Sequence, residues 1–208
     1  TTNIADISNN IANTFYRKGD FPTALVWYYD AISEYEKMNY IKQTFRLNNS
    51  LGIMFQNRKL WSKSLIHLKK AAQEIQLLYG RGLSNIYKRH EPEILMNIGI
   101  AYLKLDSLDL ALNFQNKTIN ISKDSDPKQY GRGLNNIGEI YLKKEDYVLA
   151  KSNFKSSLTI CKEINDIKTI ADNNLGLAKI HQAKNEPKRS IELCNKIINN
   201  NYYTDKEN

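Results

Sequence analysis

The amino-acid sequence predicts an all-α fold, an α-solenoid of about five antiparallel helix pairs, and three observations lead there. First, a small residue is followed twelve positions later by a second small residue, five times over: Ala12 with Ala24, Gly52 with Ser64, Gly99 with Ala111, Gly138 with Ala150, and Ala178 with Ser190. An apolar residue precedes the first member each time (Ile11, Leu51, Ile98, Ile137, Leu177), and a ring or other bulky group follows it by three (Phe15, Phe55, Tyr102, Tyr141, His181). Second, all four prolines, Pro22, Pro92, Pro127 and Pro187, fall where helices are expected to begin and where a missing N–H removes no helical hydrogen bond. Third, no stretch reads as a β-strand.

The elements follow in order. A first pair over 3–40 comprises helices 3–17 and 21–38, separated by the turn Lys18-Gly19-Asp20-Phe21, with Asp20 placed to cap the second helix. A second pair over 42–79 comprises helices 42–57 and 61–79. Residues 80–91 read as an insertion, the joint at which regular stacking is least secure. A third pair over 92–124 comprises helices 92–105 and 108–123. The fourth, over 127–166, comprises helices 127–144 and 147–165, opened by Asp126 and Pro127 and divided by the turn Lys144-Glu145-Asp146-Tyr147. The fifth, over 168–200, comprises helices 168–184 and 187–200. In each pair the small residues let two backbones approach, and the bulky residue fills the space beside the contact. A glycine inside a helix costs about 1 kcal/mol against alanine, so its recurrence at this register calls for a packing reason.

On these residues the chain resembles the tetratricopeptide-repeat (TPR) family. Leu51-Gly52-x-x-Phe55, Ile98-Gly99-x-x-Tyr102 and Ile137-Gly138-x-x-Tyr141 resemble the L-G-x-x-Y core of that signature, and Ala24-x-x-x-Tyr28 and Ala150-x-x-x-Phe154 resemble its second half. The resemblance implies a right-handed superhelix. The spacings of 40, 47, 39 and 40 residues exceed the usual 34, so the helices are expected to be longer by about a turn and a half. Repeats of this length resemble those of kinesin light chains and of bacterial peptide-sensing and sensor-kinase regulators. The third repeat departs from the pattern with Gln115 at an aromatic position, and the fifth with His181 and Cys194.

Composition narrows the function. A hydrophobic fraction of 41% and a charged fraction of 25% over 208 residues are those of a folded chain, and no apolar run reaches the length of a membrane span. The chain opens Thr1-Thr2-Asn3 without Met, which reads as a fragment of a larger protein and leaves the compartment open, with a slight lean to the cytoplasm and room for a periplasmic sensor region. Thirty basic against 22 acidic residues give +8, but the lysines are spread among Glu and Asp with no basic arm, which argues for a mild preference for acidic partners and against nucleic acid. Cys161 and Cys194, far apart in apolar segments, read as reduced core thiols.

No enzyme and no cofactor are expected. The Gly-x-Gly pairs at 80–82 and 131–133 lack the third glycine, the Gly-Lys-Ser/Thr and the preceding strand of a phosphate loop, and read as loosened helix junctions. His67, His90 and His181 are scattered, with His181 in an aromatic core position, and no Ser, Cys or Lys has the neighbours that would activate it. What remains is a surface. With the mid-helix small residue as position eight of the family's repeat, the resemblance directs residues six, three and two before it, and one and five after it, into a concave groove. These positions include Asp6, Asn10 and Asn13; Arg46, Asn49 and Asn57; Met96, Asn97, Ile100 and Lys104; Arg132, Asn135, Asn136 and Lys143; and Asp172 and Lys179. The peptide-binding candidates are Asn10, Arg46, Asn49, Asn57, Asn97, Lys104, Arg132, Asn135, Asn136 and Lys143. Asn amides donate to and accept from a peptide backbone, and Arg and Lys hold carboxylates. The expected partner is a protein or peptide, acidic or ending in a free C-terminal carboxylate, and the expected setting a bacterial signalling or regulatory protein. The alternative is self-association, with Tyr202-Tyr203 beyond the last pair suggesting an apolar edge that docks another copy or further repeats.

Overall fold

A computed structural model describes residues 2–82 and 87–199, apart from the side chains of Thr2, Asn3 and Asn199. The described residues form ten α-helices and no strand: α1 (Thr2–Arg17), α2 (Phe21–Lys37), α3 (Ile41–Asn57), α4 (Trp61–Gly80), α5 (Glu91–Lys104), α6 (Leu108–Ser122), α7 (Pro127–Lys143), α8 (Tyr147–Glu163), α9 (Ile167–Ala183) and α10 (Pro187–Asn199), with a 3-10 turn over Lys88–His90. The helix starts carry the expected punctuation. Asp20 accepts from the Thr23 N–H at 3.2 Å and Asp126 from the Gln129 N–H at 3.0 Å; Asp146 and Asp166 cap α8 and α9 in the same way. The chain divides into two compact units, Thr1–Ile94 and Leu95–Asn208.

One turn recurs at seven helix junctions. The residue that opens the following helix donates its N–H to a carbonyl five positions back: Asp20 to Phe15, Tyr40 to Tyr35, Leu60 to Phe55, Ser107 to Tyr102, Asp146 to Tyr141, Asp166 to Cys161, and Glu186 to His181, whereas Asp126, which opens α7, donates to Ser122 four positions back. This is the Schellman closure, and it requires the intervening residue to be left-handed. Gly19 meets that requirement without strain, whereas Asn39, Lys59, Asp106, Glu145, Asn165 and Asn185 adopt φ between 53° and 60° with a side chain attached. The bulky residue of the sequence signature thus supplies the acceptor that ends its helix as well as a packing group.

In the first unit, Ala5, Ala12, Ala24, Tyr28, Ala31, Tyr35, Leu51 and Phe55 form one buried cluster across α1, α2 and α3. Asp6 and Asn13, at positions expected in the groove, accept hydrogen bonds from the Tyr35 and Tyr28 hydroxyls of α2. The described C-terminal part of the insertion is packed: Tyr87 is buried against Phe45 of α3 in an edge-on contact, and Glu91 accepts from Gln76 Nε2 and the Tyr79 hydroxyl, each at 2.9 Å. Gly82 has φ +77° beyond the end of α4, as a helix junction requires.

In the second unit the expectation for Gly131-x-Gly133 fails. Both glycines lie inside α7, where a Cβ on Gly131 would stand 2.8 Å from Cys161 Sγ and one on Gly133 2.6 Å from Ile119 Cγ2. They are points of close helix approach, because the cap at Asp126 starts the helix before the glycines can break it. Phe154 is fully buried between Gly138 and Gly176, with Ala150, Leu177 and Ile180 around it. Gln115, in the aromatic position, is fully buried and donates Nε2 to the Met96 carbonyl at 3.0 Å, so its amide is satisfied as well as packed. His181 is half-buried and bonded to Glu186 at 2.7 Å, a structural placement.

Candidate functional site

Three helices of the second unit, α5, α7 and α9, present their predicted groove positions to one open hollow of about 200 Å3. Met96 and Ile100 come from α5, Arg132, Asn135 and Asn136 from α7, and Lys168, Thr169 and Asp172 from α9. Six of these eight sit at the positions the register directs inward; Lys168 and Thr169 are additions from the first turn of α9.

The polar groups are differently committed. Arg132 Nε lies 2.9 Å from Asp166 Oδ2 and its Nη2 3.4 Å from Oδ1, so the guanidinium expected to hold a ligand's carboxylate already holds one of the chain's own. The Asp166 side chain is 8% exposed and also caps α9 and accepts from the Thr169 hydroxyl at 2.8 Å. Burial alone would raise the Asp166 carboxyl, but the bonds from Arg132 and Thr169 outweigh it and hold the carboxyl below its ordinary range. Asn135 is buried and donates to Asn173 Oδ1 at 2.9 Å; Asn173 donates in turn to Ser157 Oγ, which donates to the Gly131 carbonyl at 2.6 Å. That chain crosses from α7 through α9 to α8 and fixes the wall behind the hollow. Asn136 is half-buried and directs its Nδ2 to Gln115 Oε1 at 3.4 Å, which leaves Oδ1 as the acceptor it presents.

The other candidates lie apart from this hollow. Asn97 is buried in α5 and has an interaction of its own. Lys104 is exposed at the end of α5, and Lys143 is exposed and paired with Asp106 at 2.8 Å. In the first unit Asn10, Arg46 and Asn57 are exposed; Asn49 is half-buried, and its Oδ1 is buried without a hydrogen-bond partner among the described residues.

Sequence reading missed a second polar array, in the first unit. Asn48 Nδ2 donates to both Glu74 oxygens at 3.2 and 3.3 Å, which turns Oδ1 toward His67 Nδ1 at 3.0 Å; His67 Nε2 lies 2.9 Å from the Tyr29 hydroxyl. With Asn48 Oδ1 accepting, the His67 proton sits on Nδ1 and Nε2 accepts from Tyr29. Burial lowers the His67 pKa to about 4, aided by Lys70, and burial raises that of Glu74. The ring also stacks on Phe55 at 5.4 Å. Asn48 lies one residue from a groove position, and the only sequence signal was a His and a Glu spaced seven apart on one face of α4. Among the described residues no three His, Cys, Asp or Glu side chains gather as metal ligands, and no helix is long and apolar enough to cross a membrane.

Comparison with known proteins agrees with this architecture. Residues 4–39 and residues 131–164 each match a model described as tetratricopeptide repeat. A curated relative, the uncharacterized protein ycf37 of Guillardia theta, is 29% identical over 120 residues, which is 58% of this chain and 60% of that protein. The match therefore spans less than two thirds of the relative's length. Among solved structures, BtubC (BKLC) from P. vanneervenii superposes with a TM-score of 0.74 at 14% identity, over 95% of this chain and 80% of that one. The Rap conjugation gene regulator of the plasmid pLS20, solved in complex with a Phr peptide, superposes with a TM-score of 0.69 at 19% identity, over 79% of this chain and 44% of that one.

Proposed function

We propose that this chain, a member of the tetratricopeptide-repeat superfamily, is a non-catalytic scaffold that holds a segment of another polypeptide in the hollow between α5, α7 and α9. The observation that carries the reading is the convergence of groove positions from three successive pairs, Met96 and Ile100, Arg132 and Asn136, and Asp172, on one concavity. Per-repeat variation collects on such a face while the stacking positions stay uniform. The peptide held by the pLS20 regulator supports a peptide-sized ligand, and a regulatory or signalling setting is proposed on the same ground. We further propose that the pairs of both units belong to one array within a longer protein.

The test is amide hydrogen exchange on the whole chain with and without a peptide selected against it. Protection is expected in α5, α7 and α9. Protection confined to α1–α4 would refute this location.

Self-association is the second reading, and one observation favours it. The register that equates Ala12 with Ala178 equates Ile4 and Ile7 of α1 with Ile170 and Asn173 of α9. Ile170 and Asn173 are buried, Asn173 against Ser157 of α8, whereas Ile4 and Ile7 are 57% and 50% exposed. At the other end, Ile191 and Ile198 of α10 are also exposed. The Tyr202-Tyr203 edge lies outside the described residues. Sedimentation velocity over a range of concentrations separates the readings, since a strict monomer removes this one.

A further inference from the structure

We infer that the α5–α7–α9 hollow takes an internal, charge-balanced stretch of polypeptide and seats one large apolar side chain of it on Met96 and Ile100, rather than clamping an acidic ligand or a chain terminus. The inference rests on the reading that this hollow is the working surface. Three features carry it.

The first is charge. The two cations at the hollow, Arg132 and Lys168, are matched by two carboxylates, Asp172 on the rim and Asp166 bonded to Arg132. A ligand carboxylate at the remaining N–H groups of Arg132 would meet a guanidinium whose charge Asp166 already balances, and one that displaced Asp166 would leave a side chain only 8% exposed without its counter-ion. Displacement would also loosen the N-terminus of α9, which Asp166 caps. Counted with Asp166, the lining of the hollow therefore carries no net charge.

The second is size. The hollow of about 200 Å3 is comparable with a cavity that admits a single benzene ring, about 150 Å3. It has room for one Leu, Met or Phe side chain. Met96 is nearly buried and Ile100 half-buried, so the apolar contact is concentrated on the α5 wall.

The third is the polar complement. Asn136 presents Oδ1, an acceptor suited to a backbone N–H, and exposed Lys168 stands on the facing helix as a donor suited to a backbone carbonyl. An amide group flanking the seated side chain uses both. A terminal carboxylate uses only the lysine and meets Asp172 as a like charge.

The probe is a displayed library of random peptides prepared in two forms, one N-acetylated and C-amidated and one with free termini, selected on the whole chain and followed by fluorescence anisotropy. The capped form is expected to yield binders with one large apolar residue and no net charge, whose Kd changes by less than about twofold between about 50 and about 500 mM salt. Ile100→Asp is expected to weaken them at least tenfold with unchanged circular dichroism. Asp172→Lys, which unbalances the rim, is expected to redirect selection toward acidic peptides. Recovery only of acidic or free-carboxylate peptides by the wild-type chain, with affinity falling about tenfold or more over that salt range, overturns the inference and leaves the scaffold reading standing. Failure of both forms to yield any binder overturns the scaffold reading and the inference together.

Discussion

Phe154 gives the sharpest test of how the second unit is packed. An alanine Cβ at Gly138 would lie 2.7 Å from ring atoms Cδ1 and Cε1, where ordinary contact begins at 3.4 Å, so the ring must retreat by 3.4 − 2.7 = 0.7 Å. It has little room to do so, because a Cβ at Gly176 would lie 2.4 Å from Cζ on the other helix. Overpacking of this kind costs about 1–3 kcal/mol. Replacing helical glycine by alanine returns about 1 kcal/mol of propensity. Gly138→Ala and Gly176→Ala are each expected to destabilise by a net ~1 kcal/mol. The double variant closes both escape routes and should exceed the sum of the singles by a further ~1 kcal/mol, within the range of contacting pairs. In a Phe154→Leu background, whose flexible side chain can yield, the excess should vanish. Urea midpoints with the four-way cycle read this out. Strict additivity, or singles that gain the full propensity term, would show that the ring slides freely and that the glycines are not there to admit it.

Three further outcomes are expected. His67 is neutral in the fold down to about pH 4 but protonates near 6.5 when unfolded, so its contribution is complete above pH 6.5 and is lost as pH falls towards 4. At 1.36 kcal/mol per unit this amounts to about 2 kcal/mol between pH 6.5 and 5. The raised Glu74 carboxyl has the opposite sign and offsets part of it, so Glu74→Gln should steepen the loss in urea titrations across that range and His67→Phe should flatten it. Arg132→Gln strands Asp166 and should cost about 1–3 kcal/mol, seen as an earlier thermal transition. Lys144 reaches Asp109, whose side chain is 93% exposed, and Asp109→Ala should move the same transition by less than about 0.5 kcal/mol, as solvent-screened pairs do.

The helices were legible because their ends are written locally. Asp20, Asp126 and the four prolines mark starts, and the predicted 21–38 and 127–144 differ by one residue from Phe21–Lys37 and Pro127–Lys143. Of the groove register, Met96, Ile100, Arg132, Asn135, Asn136 and Asp172 line one hollow, whereas Asn97, Lys104 and Lys143 do not. Commitments of individual side chains were not legible, because they depend on partners in other helices: Asp166 lies 34 residues from Arg132 and His67 lies 38 from Tyr29. The segment Tyr-Gly-Arg-Gly shows the limit most plainly. At 79–82 it ends a helix and at 130–133 it lies inside one. What differs is the cap a few residues upstream and the close approach of Cys161 and Ile119, neither of which the four residues contain.

The closures between helices have a consequence for how this molecule could be tuned. Asn, Lys, Asp, Glu, Asn and Asn take up the same left-handed geometry at six turns, so the helices on either side impose the bend and the residue merely complies. A residue other than glycine pays about 1–2 kcal/mol for that conformation, somewhat less for Asn or Asp. Glycine relieves it at a smaller entropic cost of about 0.5–1 kcal/mol. Lys59→Gly and Glu145→Gly are therefore open increments of stability, and the four Asn and Asp turns are smaller ones. Six such increments are comparable with a fair part of the 5–15 kcal/mol by which ordinary domains stay folded. The stability of the fold is thus set below what its own turns permit, adjustable one turn at a time without replacing a core residue.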